Sequence, residues 1–390
     1  MSELGLFWLL LPVVAAASWY FARRGTEMVS GARVDRLSSG YFKGLSHLLN
    51  EEPDKAIEVF LSIAELDQEA VETQLALGSL FRRRGEVGRA IRLHQDLLKR
   101  DTLSRRQRTD ALFELGEDYM RAGLLDRAEG LFADLVAAEV EVAEALRRLV
   151  TIAESERDWN KAIAHAERLE QVSGRPQGST VAHYRCELAE GARGRGHLEV
   201  ARDELQQALR ADPNCARAEL LLGAIELHQG EHARAARALE RAARIDLDTL
   251  PLLLEPLLAC YQALDDGRRA REFLAEMGAR FPGVAPVLAL SRLIEREEGE
   301  AAAEAMLTKE LRRHPTVPGL RHLAQIGLRR ADESMRPLLA GIAELAERML
   351  DQGAGYRCKR CGFGARNHHW QCPSCKGWDT LRPQHRLLAE

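Results

Sequence analysis

Aromatic residues are scarce in this chain, since Phe, Trp and Tyr together make up 5% of its 390 residues. The middle of the chain also lacks the alternating polar and apolar runs typical of β-strands, so helices rich in Ala, Leu, Glu and Arg are expected there.

Neither sign of charge dominates, because the formal net charge is only -4. A protein that holds nucleic acid through a broad basic field is therefore not expected. The length exceeds that of one ordinary domain.

Sequence patterns of common enzymes are missing as well. The chain contains no G-x-x-x-x-G-K-[ST], H-E-x-x-H or G-x-S-x-G segment, which are the patterns of phosphate binding, zinc proteolysis and serine hydrolysis. Acidic pairs such as Glu297 and Glu298 are adjacent in sequence and so point in different directions on a helix. The sequence therefore predicts a protein that is not an enzyme.

An apolar segment near the start predicts a membrane anchor. Residues 4–21 carry no charge, and as a helix they are about 27 Å long, close to the thickness of a hydrocarbon core. No Lys or Arg precedes the segment, whereas Arg23 and Arg24 follow it, which predicts that the bulk of the chain is cytoplasmic. A cleaved signal peptide and a buried core helix are the alternatives. We expect a single-pass anchor within residues 1–22, which crosses the membrane through residues 4–22, and a linker over residues 23–36.

A helical repeat is expected over residues 37–350. Alanines recur at spacings of 34, 38, 34, 39, 34 and 35 residues, at Ala56, Ala90, Ala128, Ala162, Ala201, Ala235 and Ala270. Glycines recur twelve and five residues before several of these alanines, for example Gly116 and Gly123 before Ala128. The first glycine allows two helices to approach closely and the second allows a tight turn between them. About eight or nine helical pairs are predicted.

This pattern resembles the tetratricopeptide repeat family, as in Leu115-Gly116-Glu117-Asp118-Tyr119 followed by Ala128 and Phe132. The resemblance implies an all-α superhelical solenoid that binds proteins or peptides on the face of its first helices. Arginines at that face suggest a groove for acidic partner segments, and they are Arg82, Arg83, Arg121 and Arg193. An ordinary solvated helix surface is the alternative interpretation.

Four cysteines in residues 351–390 predict a metal site. Cys358 and Cys361 form one C-x-x-C pair, and Cys372 and Cys375 form another after ten intervening residues. Four thiolates suit one structural zinc or iron ion, which would supply folding energy to so short a segment. A redox dithiol and disulfides are the alternatives. The other cysteines, Cys186, Cys215 and Cys260, lie in helical patterns and are expected to be buried.

The local pattern around these cysteines resembles the rubredoxin family, which implies that all four are ligands. The gap between the pairs is shorter than in rubredoxin, so a structural ion is expected rather than an electron carrier. The segment is also basic, and Trp370 and Trp378 in it suggest contact with bases or anionic lipid as an alternative. Packing onto the last repeats is the simpler expectation, and His368 and His369 between the two pairs are expected to be exposed.

The combination of anchor, repeats and metal knuckle resembles the lipopolysaccharide assembly protein B family over essentially the full chain. The resemblance implies a non-enzymatic adaptor of the bacterial inner membrane with FtsH protease, LpxC deacetylase and other envelope-biogenesis proteins as partners. It implies that lipopolysaccharide synthesis is lowered through proteolysis, and it is compatible with a homo-oligomer. A membrane-tethered RNA- or lipid-binding protein and a redox carrier are the alternatives.

Overall fold

A computed structural model describes residues 42–44, 46–47, 52–66, 71–351 and 355–384. The predicted anchor, residues 1–22, and the predicted linker, residues 23–36, lie outside these described residues. Within the described ranges, no helix is both long enough and apolar enough to cross a bilayer. The chain forms two compact units that divide after Glu156.

The first unit is helical. Its helices are α1 Pro53–Leu66, α2 Val71–Arg84, α3 Val87–Leu98, α4 Arg105–Arg121, α5 Leu125–Ala137 and α6 Val142–Glu156. Neighbouring helices pack together as pairs, α2 with α3 and α4 with α5. Ser104 caps the start of α4 with a capping box, because its hydroxyl accepts from the Gln107 amide while the Gln107 side chain accepts from the Ser104 amide.

The second unit joins a helical array to a small sheet. Its α-helices are α7 Trp159–Ser173, α8 Gly178–Gly194, α9 Leu198–Ala211, α10 Ala216–His228, α11 His232–Ile245, α12 Leu250–Ala263, α13 Gly267–Arg280, α14 Ala285–Glu298, α15 Glu300–Leu311, α16 Val317–Arg330 and α17 Arg336–Asp351. A 3-10 turn, Leu247–Thr249, links α11 to α12. The strands are β1 Tyr356–Cys358, β2 Gly364–Ala365 and β3 Leu381–Pro383.

The repeating alanines lie where the period predicted. Each one belongs to the second helix of its repeat and is no more than 2% exposed. Four residues later, on the same face, large side chains fill the seam between the paired helices, and they are Phe60, Phe132, Leu205, Leu239 and Leu274. The prediction of a tetratricopeptide-type core is confirmed for the described helices.

Glycine at the helix crossing is required by space. A Cβ atom added to Gly116 in α4 would lie 2.6 Å from the Phe132 ring in α5. Gly123, in the turn between these helices, has a φ of 75°, where a side chain is disfavoured. Arg157 and Asp265 adopt the same left-handed conformation in the corresponding turns, with φ values of 58° and 54°. The turn geometry is therefore kept even where glycine is absent.

The small sheet has the order β2-β1-β3, and both pairings are antiparallel. Tyr356 pairs with Ala365 on one side, while Cys358 pairs with Leu381 on the other. The described core of this part is small and includes two cysteines, Cys358 and Cys372, with Ala365 and Leu381. So few apolar side chains bury too little surface to hold a fold by themselves. These three short strands depart from the predicted all-α architecture.

Candidate metal centre and its docking surface

The two C-x-x-C segments fold into matching knuckles. In the first, the Gly362 amide donates to the Cys358 carbonyl and the Cys358 amide donates to the Phe363 carbonyl. In the second, the Lys376 amide donates to the Cys372 carbonyl and the Cys372 amide donates to the Gly377 carbonyl. Gly362 and Lys376 both have positive φ values, 77° and 56°. Each turn therefore aims its two sulfur atoms at a common point.

All four predicted ligands meet in one place. The sulfur atoms of Cys358, Cys361, Cys372 and Cys375 lie within 4.8 Å of one another. The distance is 3.7 Å from Cys358 to Cys375 and 3.8 Å from Cys361 to Cys372. A tetrahedral ion with bonds of about 2.3 Å separates its sulfur ligands by about 3.8 Å. The arrangement therefore fits one ion, and both zinc and iron accept four thiolates.

Hydrogen bonds prepare some of these thiols to lose their protons. A hydrogen bond with the Thr380 side chain lowers the pKa of Cys358 to about 6, and the Phe363 amide lowers the pKa of Cys361. At Cys375 the Gly377 amide also lowers the pKa, but removal from water and the three neighbouring thiols outweigh it and raise the pKa to about 11. A bound cation would remove this mutual repulsion and favour four thiolates.

The knuckle is docked on the repeats through Trp378. Its ring stacks on His183 of α8, with centroids 5.1 Å apart and planes 15° apart. It also meets Trp159 of α7 and Tyr184 of α8 edge-on, at 6.1 Å and 5.9 Å. Packing of the knuckle onto the repeats is thus confirmed. These ring contacts are made to earlier repeats than the last ones, where packing was expected.

A buried arginine lies beneath both knuckle tryptophans. Arg217 of α10 is 2% exposed, and its guanidinium carbon lies 5.7 Å from the Trp370 ring centre and 5.8 Å from that of Trp378. Its Nη2 atom donates to Glu187 at 2.8 Å and also to Glu190. Burial disfavours the charge, but nearby anionic groups including both carboxylates outweigh it and raise the pKa of Arg217. The cation is therefore held permanently against the aromatic rings.

An ion-pair cluster forms the rim of this contact. Arg382 of β3 pairs with Asp246, at the end of α11, and lies 3.4 Å from Asp248 and 3.3 Å from Asp379. Burial raises the pKa of Asp379 although Arg382 opposes the shift. The Asp379 amide also donates to the Trp370 carbonyl at 2.7 Å. Charge pairing and ring stacking together fix the orientation of the knuckle.

One histidine between the knuckles differs from expectation. His368 is partly buried rather than exposed, because its ring meets Trp370 edge-on at 4.6 Å and Tyr356 at 5.3 Å. Burial lowers the pKa of His368 to about 4. His369 is exposed as predicted. Cys186, Cys215 and Cys260 are buried free thiols, which confirms that part of the prediction.

The predicted groove arginines have different surroundings. Arg82 donates to the buried Asp118 and to Glu114, both at 2.7 Å, and Asp118 also bonds His94 at 2.6 Å. Arg82 is therefore part of an internal network. Arg83, Arg121 and Arg193 are exposed in the last turns of first helices α2, α4 and α8. Partner binding at these positions remains a prediction.

The repeat side of the docking surface was not visible in the sequence. Trp159, His183, Arg217 and Asp246 come from several repeats and share no motif or spacing. Of these four residues, only Trp159 stands out in the sequence, because the chain has just five tryptophans. Trp370 and Trp378, the two rings that were candidates for base stacking, both contact His183 of the array, and only Trp378 is stacked on it.

Comparisons with known proteins agree with both parts of the chain. The rubredoxin metal binding domain family matches residues 356–383, and the tetratricopeptide repeat family matches residues 75–138, 113–176 and 186–248. Among solved structures, that of the MamA protein is similar with a TM-score of 0.36 and 20% identity, covering 47% of this chain and 95% of that one. The two family matches, together with the fold and the site, define a tetratricopeptide repeat protein with a rubredoxin-type metal knuckle.

Relatives of similar length identify the family. Lipopolysaccharide assembly protein B of Escherichia coli K12 is 37% identical over 381 residues, which cover 97% of this chain and 98% of that relative. The protein of the same name from Haemophilus influenzae Rd is 32% identical over 97% of this chain and 98% of its own. The chain belongs to the lipopolysaccharide assembly protein B family.

Proposed function

We propose that this chain is a non-enzymatic adaptor of the bacterial inner membrane that lowers lipopolysaccharide synthesis by presenting the LpxC deacetylase to the FtsH protease. The observation that carries the proposal is the match along nearly the whole chain to proteins named for lipopolysaccharide assembly. Other envelope-biogenesis proteins are further partners in this proposal. Residues 4–22 anchor the chain and keep the repeats on the cytoplasmic side, where tethering raises the effective concentration of membrane-bound partners.

The docked knuckle supports different roles for the two units, one in holding the metal site and one in binding a partner. In the second unit, the first helices α8 and α10 hold the knuckle through His183 and Arg217. In the first unit, Arg83 and Arg121 are exposed at the ends of first helices. Arg193 is exposed as well, but it belongs to α8, which holds the knuckle. We therefore assign recognition of an acidic partner segment to the first unit and a structural role to the metal.

The first experiment follows the half-life of the deacetylase after this chain is depleted, with the protease present and with it absent. A longer half-life only when the protease is present supports the adaptor. An unchanged half-life in both backgrounds contradicts it, and a longer half-life without the protease points to a different route of control.

A second experiment tests the assignment to the first unit. The double variant Arg83→Glu/Arg121→Glu is expected to lengthen the deacetylase half-life while the level of the adaptor stays the same. Arg268→Glu, at an exposed arginine of second helix α13, is the matched control and is expected to leave the half-life unchanged. Equal effects of both variants would contradict recognition by Arg83 and Arg121.

A further inference from the structure

The last helix of the array, α17, exposes a row of large apolar side chains. Met335, just before the helix, is 45% exposed, and Leu338 and Leu345 are 58% and 57% exposed. Ile342 lies between them and is partly exposed, and Met349 continues the row at 51%. Four of the ten exposed large apolar side chains in the described residues fall within this short stretch.

The spacing of this row is that of a coiled-coil seam. The intervals between Met335, Leu338, Ile342, Leu345 and Met349 are three, four, three and four residues. Apolar residues at these intervals form the a and d positions of a heptad, which insert between the side chains of another helix. The row therefore fits a helical partner that carries the same interval.

A different face of α17 holds the helix to its own array. Ala346 is 2% exposed, and Leu339 lies over Gly327 of α16. The terminal helix of a solenoid ordinarily presents a polar outer face, because no further repeat covers it. An apolar seam at this position calls for a partner outside the array.

We propose that the seam of α17 joins two copies of this chain. A seam with alternating intervals of three and four is complementary to itself, which is what a twofold contact requires. A bilayer surface fits less well, because α17 contains two basic residues, Arg336 and Arg348, against three acidic ones, whereas helices on anionic membranes carry basic flanks.

The size of the contact predicts a weak dimer. A helix of 16 residues is about 24 Å long and about 10 Å wide, so each copy buries on the order of several hundred Å². Stable interfaces bury about 800 Å² from each partner. The dimer therefore exchanges readily and forms best where the local concentration of the chain is high.

Photo-crosslinking of the full chain tests the proposal. Met335→p-benzoylphenylalanine is placed in a copy that carries one affinity tag and is expressed in membranes beside a copy that carries another tag. Illumination is expected to give an adduct that contains both tags. The same probe at Val172, an equally exposed position of the second unit, is expected to give none.

Variants show whether the seam is responsible. Leu338→Glu/Leu345→Glu is expected to reduce the adduct about tenfold, because the contact would bury carboxylates. Val200→Glu, at another exposed apolar position, is expected to leave it unchanged. Circular dichroism checks that α17 remains folded. An adduct only to another protein or to lipid, no adduct, or equal loss in both variants would overturn the proposal.

Discussion

Trp378 in the metal knuckle lies flat against the imidazole of His183 in α8. The contact joins two parts of the chain that are far apart in sequence. Each ring has a further partner across it, since Trp378 also meets Trp159 and His183 also meets Trp370. Because Arg217 lies beneath Trp378 as well, one indole connects the knuckle with two first helices of the array. The docked position of the metal site therefore depends heavily on this side chain.

Removal of that ring is expected to detach the knuckle without releasing its ion. We expect Trp378→Ala to lower the free energy of unfolding by about 3 kcal/mol, the lower end for buried aromatic residues, because Trp378 is only partly buried. Hydrogen exchange of α8 amides measures the loss of docking, and elemental analysis measures the metal. Phe363→Ala, at an exposed ring of the same knuckle, serves as the control. Unaltered protection of α8 in Trp378→Ala would contradict the role of the contact.

Loss of one sulfur ligand is expected to release the metal. We expect Cys372→Ser to weaken metal binding by more than about a hundredfold, since even residues behind a metal ligand contribute ten- to a hundredfold. One ion per chain in the unmodified protein and almost none in the variant is the expected result of elemental analysis. Cys260→Ala removes a cysteine outside the cluster and is expected to retain the ion. Full retention by Cys372→Ser would rule out the four-thiolate site.

Two glycines of one helical pair are expected to respond oppositely to the same substitution. Gly116→Ala places a methyl group 2.6 Å from Phe132, and we expect a loss of about 1–3 kcal/mol from overpacking. Gly130→Ala in α5 meets no atom within 4 Å, and we expect a gain of about 0.5–1 kcal/mol from helix propensity. Chemical denaturation of the two variants decides the point, and equal losses would contradict the close-approach role of Gly116.

Docking of the knuckle is expected to weaken in acid. Burial, together with the Arg217 guanidinium, lowers the pKa of His183 to about 3, whereas an unfolded histidine titrates near about 6.5. The unfolded chain therefore binds a proton that the folded chain rejects, and stability falls as the pH drops below about 6.5 and on towards about 3. We expect a loss attributable to His183 of about 1 kcal/mol between pH 7.5 and 5.5.

The variant His183→Gln isolates this contribution. His368 has a lowered pKa as well, so the unmodified protein and the variant share a background slope of the same sign. The variant is expected to lose less stability between pH 7.5 and 5.5 than the unmodified protein. Metal content measured at each pH separates titration of His183 from acid release of the ion, and identical slopes would contradict the assignment.

Local constraints made much of the architecture predictable from sequence. Ala128 and Gly116 mark a close helix crossing by their size, and the two C-x-x-C pairs mark a metal site by their spacing. The docking surface is different, because His183 and Arg217 meet Trp378 only after the array has folded. The network of Arg82 was missed for the same reason: its partner Asp118 lies one repeat further on.

Fastening the knuckle to α7 and α8 also changes how the second unit comes apart. An array with contacts only between neighbouring repeats unzips from its ends, one repeat at a time. Here the chain returns through Trp378 to the beginning of the same unit, which closes the helices from α9 to α17 into a loop. The terminal repeats can therefore separate only after the knuckle has left α7 and α8. Because a single ion bound by four sulfur atoms would hold the knuckle together, it would also make these repeats unfold cooperatively rather than one at a time.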